Sequence, residues 1–291
     1  MRLEDIYSHK DWQYNGVFNW IKPVISFEVF PPKENENDLY DELKKLKKYE
    51  PAFVSLTCNA GGKNNNSTDM ISKIKNDLSM DVMPHLTCIC NDKKSIEKKL
   101  QSIENMNIEN VLALRGDKPE DNDNYCSDFE YANELVSFIK EKTNLSIAAA
   151  GYPEGHIDSP DLFTDIENLK KKVDAGTDVI FTQLFFDNDK FFSYIQLVRD
   201  AGINVPIIPG IMPIISLNQI KKITSLAKIT VPQSLYSRIE KFKDSSDDMK
   251  KLGVDFTSYQ CRQLIDAKVS GLHFYTLNKA FSTSEILDNI L

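Results

Sequence analysis

The chain of 291 residues allows one large domain or two smaller ones, and its formal charge of -8, with a pI near 5.2, sets it against nucleic acid and anionic membranes, which demand net or clustered positive charge. Five cysteines without framework spacing fit a reducing compartment better than a disulfide scaffold. The start, MRLEDIYSHKDW, has no apolar leader core, and the most apolar run, VPIIPGIMPII, is too short for a bilayer and holds three prolines, so a cytoplasmic protein acting on a small molecule or another protein is expected.

After an amphipathic start, strand-like runs fall at 24–30, 52–57, 82–89, 108–114, 145–150, 178–184, 206–211 and 269–276. Between them lie segments of helical periodicity, among them 95–106, 129–142, 162–175 and 190–201, punctuated by glycine and proline. Strand and helix alternating eight times predict a parallel sheet closed on itself, a (β/α)8 TIM barrel spanning 1–291 as a single domain, with no linker to divide it. The stretch 231–266 holds more helix than one crossover needs, so one or two extra helices are expected before the eighth strand. The polar runs 64–68 and 118–124 read as loops.

In such a barrel the strand C-termini form one face, and here the apolar runs stop, one after another, on polar residues: Glu28, Thr57, His85 and Thr87, Arg115-Gly116-Asp117, Tyr152 and His156, and Gln183. Strand alternation puts Ser26, Glu28 and Phe30 on the inward face. A carboxyl between a phenylalanine and the stiff pair Pro31-Pro32 suits a general acid, although a glutamate salt-bridged at the barrel rim is the plainer alternative. Gly116 lets backbone come close to whatever Arg115 and Asp117 hold, unless the three form only a tight turn with a local ion pair. The run Ala148-Ala149-Ala150-Gly151 leaves room for a flat ligand, or simply fits a crowded barrel corner. On the helix that follows, Asp165 and Lys172 share a face beside the core stripe Leu162, Ile166, Leu169 and Val173; without further context that face reads as solvated.

Several chemistries find no support. His85, Cys88 and Cys90 lie close in sequence, but a strand turns His85 away from both cysteines, and no second ligand pair stands nearby. No nucleophile elbow, GxGxxG or GxxxxGK occurs.

SFEVFPP at 26–32, PHLTCI at 84–89, LALRGDKP at 112–119, AAGYPEGH at 149–156, NLKKKVDAG at 168–176, TQLFFD at 182–187, IIPGIMPI at 207–214 and HFYTLN at 273–278 together resemble the methylenetetrahydrofolate reductases in their short bacterial form, in order and over nearly the whole chain. The resemblance implies an FAD-containing barrel of one-carbon metabolism and methionine biosynthesis that reduces 5,10-methylenetetrahydrofolate to 5-methyltetrahydrofolate with NADH or NADPH, by ping-pong through the flavin. It implies that Glu28 is the general acid that opens the folate five-membered ring, and that Asp117 lies near the flavin and tunes it. Thr57, Ala60, His85, Arg115, Gly116, Ala132, Tyr152, His156, Asp165 and Lys172 align with FAD contacts, and Gln183, Gln219 and Lys279 with folate or nicotinamide contacts. No metal is expected, and a homo-oligomer is. Control by adenosylmethionine, a property of the long form, is not expected.

Three departures bear on the site. Cys58 stands where a tyrosine is expected, Lys279 where arginine is common, and Ile223 where a phenylalanine can pack on nicotinamide. Without that ring, and without an arginine cluster for a 2′-phosphate, NADH is expected to outperform NADPH, both binding weakly. Three other readings stay open: the same flavin barrel fed by a partner protein, a silent binding barrel, and a lyase barrel with Lys268 as its Schiff-base lysine.

Overall fold

The structure is a computed structural model that describes residues 1–7, 23–32, 36–57, 67–117 and 127–291. Eight parallel strands close into one barrel in sequence order: β1 (Val24–Val29), β2 (Phe53–Leu56), β3 (Val82–Thr87), β4 (Asn110–Leu114), β5 (Ser146–Gly151), β6 (Val179–Leu184), β7 (Ile207–Ile211) and β8 (Gly271–Tyr275). Closure is by β8 on β1, pairing Ser26 with His273 and Glu28 with Tyr275. All eight strands fall where the apolar runs predict them.

The helices are α1 (Leu3–Tyr7), α2 (Glu36–Leu46), α3 (Ser67–Asn76), α4 (Lys93–Asn105), α5 (Ala132–Lys142), α6 (Leu162–Asp174), α7 (Asn188–Asp200), α8 (Leu217–Ala227), α9 (Gln233–Lys241), α10 (Ser246–Asp266) and α11 (Ala280–Ile290). Boundary differences from the periodicity trace to caps. Asp92 accepts from Ser95 N at 2.7 Å and Asp187 from Asp189 N at 3.0 Å, so α4 and α7 begin before their first apolar residue. The polar run 64–68 gives its last two residues to α3, and α9 and α10 are the expected extra helices. No helix among the described residues is long and apolar enough to cross a membrane.

Strand alternation sorts the core. Outward side chains such as Ile25, Phe27 and Val29 pack against the helical ring in two clusters, one under α2 to α5 and one under α6, α7, α10 and α11. Inside, Phe53, Met83, Leu112, Ala148, Phe181 and Ile208 form a plug, and Leu3 and Tyr7 of α1 close its lower end. Phe181 meets Tyr7 and Phe53 edge-on, with centroids 6.1 and 5.9 Å apart, an arrangement aromatic pairs favour. Among the described residues the apolar plug fills the lower end of the barrel, and the upper, C-terminal end is the one left open to ligands. A fourth cluster joins α8, α9 and α10 to Leu184, Phe186, Met212 and Ile214, so the extra helices cover one side of that open end.

Candidate active site

A cavity of about 460 Å³ opens at the strand C-termini, within the size range of small-molecule sites. Its floor is Glu28, His85, Leu112, Phe181 and His273, its walls include Thr57, Thr87, Gly116, Asp117, Ala150, Tyr152, Gln183 and Tyr275, and Ile223 and Leu226 of α8 form one edge.

Glu28 is 9% exposed and sits between two imidazoles. His85 Nε2 lies 3.6 Å and His273 Nε2 4.0 Å from its Oε2. Ser55 Oγ is 3.2 Å from His85 Nε2 and Ser26 Oγ 2.7 Å from His273 Nδ1, so the pairing of β2 with β3 and of β1 with β8 gives each histidine a hydroxyl partner. Burial pushes the His85 pKa down to about 4, against the pull of Glu28. The His85–Glu28 approach is therefore a contact between a carboxyl and a neutral ring at neutral pH, and Glu28 remains available to a ligand.

The lowered His85 pKa has a consequence for stability. The unfolded chain takes up this proton near 6.5 and the folded chain only near 4, so stability present above 6.5 is lost as pH falls through that window, on the order of 3 kcal/mol for this group. Urea melts at pH 7 and pH 4.5 should show that loss, and His85→Gln should remove most of the difference; an unchanged difference would assign it to other groups.

The end of β6 is built by an irregularity. Phe181 pairs with Ile208 and Leu184 with Gly210, so β6 carries one residue more than β7 between the two pairs. This bulge turns both Gln183 and Leu184 toward the cavity, although simple alternation would send them to opposite faces. Thr182 O accepts from Tyr275 Oη at 2.7 Å and Thr182 Oγ1 from Gly210 N at 3.0 Å, which fixes the bulge. The amide oxygen of Gln183 accepts from Leu184 N at 2.9 Å, leaving its NH₂ as the group to offer a ligand.

A family model described as methylenetetrahydrofolate reductase matches residues 15–291. The chain belongs to the methylenetetrahydrofolate reductase family. It is 33% identical over 259 residues to the 5,10-methylenetetrahydrofolate reductase of Escherichia coli, a match covering 88% of this chain and 86% of that one. It is 37% identical to methylenetetrahydrofolate reductase 2 of Saccharomyces cerevisiae and 36% to methylenetetrahydrofolate reductase (NADH) 1 of Arabidopsis thaliana, each over 284 residues and 92% of this chain. These two matches cover 47% and 48% of the relatives, so the chain spans about half their length. Among solved structures, an uncharacterized Clostridium thermocellum protein that binds two copies of 5-methyl-5,6,7,8-tetrahydrofolic acid superposes with a TM-score of 0.61 at 11% identity, over 93% of this chain and 94% of that one. A 2,3-dimethylmalate lyase superposes with a TM-score of 0.51 at 10% identity, over 97% and 80%. At such identities these likenesses show the barrel fold alone.

Against the residues that the family resemblance implies, the structure divides. Glu28, Thr57, His85, Gly116, Asp117, Tyr152 and Gln183 line the cavity. Arg115, His156, Asp165 and Lys172 form a second, adjoining group around Tyr152. Arg115 Nη2 donates to Asp158 at 2.7 Å, the Tyr152 and His156 rings meet edge-on at 4.6 Å, and Lys172 Nζ lies 5.8 Å from the Tyr152 centroid while donating to Ala150 O. Asp165, 7% exposed, accepts from Ser159 Oγ at 3.1 Å. The solvated-face reading of α6 thus fails, because this face turns inward over the end of β5. Burial lowers the Lys172 pKa to about 8 against the opposing pull of Asp165, and it raises that of Asp165 against the pull of Lys172.

Two expected substrate contacts are placed otherwise. The Gln219 amide accepts from Ile215 N at 2.8 Å and donates to Pro213 O at 2.9 Å, so it clamps the loop entering α8, and Lys279 is exposed at the start of α11, off the cavity lining. Ala132 opens α5 and is half-buried; Ala60 and Cys58 lie outside the described residues. Cys88 packs into the outer core, as the strand alternation implies. Sequence reasoning missed His273, Tyr275, Ser26 and Ser55 as site residues. The signal for the first two was present, since both are polar and share the inward parity of the eighth strand.

Proposed function

We propose that the barrel is one catalytic domain that reduces 5,10-methylenetetrahydrofolate to 5-methyltetrahydrofolate with electrons from a reduced nicotinamide, using FAD. The observation that carries the reading is the buried, imidazole-flanked Glu28 at the floor of a cavity whose walls carry Asp117, Tyr152 and Gln183, in a chain of this family. The residues present fit a flavin. Ala150 leaves the cavity side of the end of β5 bare, while Gly151 faces the other way, where a Cβ would meet Tyr194 Oη and Ile180 of the outer core. Gly116, at φ +85°, brings backbone to the cavity where a Cβ would come within 3.2 Å of Thr87. The neighbouring Arg115, His156 and Lys172 suit an anionic tail, and an anion beside Lys172 would favour its protonated form.

When bound, FAD would supply a carrier that takes hydride from one substrate and gives it to the other, which makes the kinetics ping-pong. Around it, this chain's residues have separable tasks. Thr57, His85, Gly116, Tyr152 and Lys172 would hold the cofactor, and Asp117, a carboxylate at the cavity wall, disfavours negative charge beside it and favours a cationic folate intermediate. Glu28 delivers the proton that frees a folate nitrogen as the five-membered ring opens, and the apolar floor of Leu112 and Phe181 keeps water from that proton. Gln183 holds the pterin by its NH₂.

The absorption spectrum of the purified protein tests the cofactor. It should show bound FAD, bleached anaerobically by NADH faster than by NADPH. A colourless protein that takes up no added FAD would defeat this reading. An FAD-replete protein that neither nucleotide bleaches, yet that oxidises 5-methyltetrahydrofolate with an artificial acceptor, would point to a partner-protein donor. Gln183→Glu should weaken folate binding about tenfold with flavin content unchanged, because a carboxylate still accepts from Leu184 N but cannot donate. Titration of folate against the oxidised variant checks this, and parental affinity would remove Gln183 from the site.

A further inference from the structure

The α8 edge of the cavity is tied across to the Tyr152 wall by a buried carboxylate. Glu154 lies two residues beyond Tyr152 and its side chain is 8% exposed. Its Oε2 accepts from Thr230 Oγ1 at 2.7 Å and from Lys190 Nζ, and its Oε1 accepts from Thr230 N at 3.2 Å. Lys190 Nζ also bonds Thr230 Oγ1. Three segments distant in sequence thus meet at one carboxylate: the β5–α6 loop, the first turn of α7 and the connection from α8 to α9.

The geometry below this knot directs its effect onto α8. Lys228 ends α8 in the left-handed region at φ +49°, Ile229 drops into the core at 7% exposure, and Thr230 meets Glu154 next. At the other end of α8 the Gln219 amide bridges Ile215 N and Pro213 O. Between these holds the helix is lightly packed: Ile220 is its buried anchor, Ile223 is half-buried, and Leu226 is 64% exposed, the last two on the cavity edge. A helix held at its ends and thinly packed between them owes its position to those ends.

We propose that Glu154 is a positioning residue, which through Thr230 sets the height of α8 over the cavity mouth and so sets affinity for the planar substrate that packs on Ile223 and Leu226. The inner cavity, built on the strands, does not depend on it. This rests on the proposed nicotinamide and folate chemistry for its kinetic readout, and on the structure alone for its second readout.

Glu154→Ala should keep the parental flavin content, raise the dissociation constant of nicotinamide in rapid-mixing flavin reduction about tenfold, and change the limiting reduction rate less than about twofold, the size of loss expected when hydrogen bonds to one buried charge are removed. Thr230→Val should show a smaller rise in the same constant, and Thr230→Ser should restore it. Hydrogen exchange read on peptides covering 217–227 should quicken in Glu154→Ala and Thr230→Val and stay parental in Thr230→Ser, with or without catalytic turnover. Should Glu154→Ala not fold, the Thr230 pair carries both readouts. Parental nicotinamide affinity, or parental exchange in α8, in folded variants overturns the proposal. A parent protein that no nicotinamide reduces defeats the functional reading instead, and the exchange measurement still decides the role of Glu154.

Discussion

Glu28→Gln is expected to retain FAD and to be reduced by nicotinamide at close to the parental rate, yet to lose reduction of methylenetetrahydrofolate by about 10²-fold or more, the range for loss of a positioned general acid. The amide is nearly isosteric and can still lie between the two imidazoles, so the cavity should survive, but it has no proton to give a folate nitrogen. Separate anaerobic half-reactions read the two effects apart. Loss confined to the folate half-reaction supports the assigned role. Normal reoxidation by methylenetetrahydrofolate would make Glu28 a structural residue.

The second large effect is on stability. Gly253 lies in α10 where the helix crosses the exit of β7, and a Cβ built there would stand 1.9 Å from Ile214 O. The obstacle is backbone of the rigid sheet-to-loop junction, not the end of a flexible side chain. Alanine would gain roughly 1 kcal/mol of helix propensity over glycine, but overpacking of this kind costs about 3 kcal/mol or more, so the clash wins. For Gly253→Val, with poorer propensity and more volume, a fall in Tm of roughly 5 °C or more is expected. Gly202→Ala is the control, since at φ +78° with nothing within 4 Å of its Cβ it carries only the left-handed cost of about 1 kcal/mol. Equal melting temperatures for Gly253→Val and the parent would mean that α10 can lift off β7 freely.

What the sequence could show depended on the physical origin of each feature. All eight strands were readable, because parallel strands buried on both faces are continuous apolar runs bounded by turn residues. Glu28 was readable for a related reason: one charged residue within VISFEV, on the inward parity, interrupts an otherwise apolar strand. The placement of Gln183 and Leu184 on one cavity was not readable, since it comes from an extra residue in the pairing of β6 with β7, and register between strands far apart in sequence leaves no local trace. The knot at Glu154, Lys190 and Thr230 was hidden similarly, each member being an ordinary polar loop or helix residue on its own. Gln219 entered through the resemblance alone, and its amide is engaged at both ends by the loop beside it.

The polar layer of Ser26, Glu28, Ser55, His85 and His273 lies where other positions of the barrel interior carry phenylalanine, leucine or isoleucine. Well-packed hydrocarbon in place of such buried polar groups is often neutral or stabilising, and natural proteins commonly give up stability at the sites where they work. If the proposed chemistry runs at this floor, heat tolerance and turnover compete for the same few positions on β1, β2, β3 and β8. Selection for thermal endurance alone would be drawn to this layer first, and would produce a tougher barrel without the carboxyl and imidazoles at its floor.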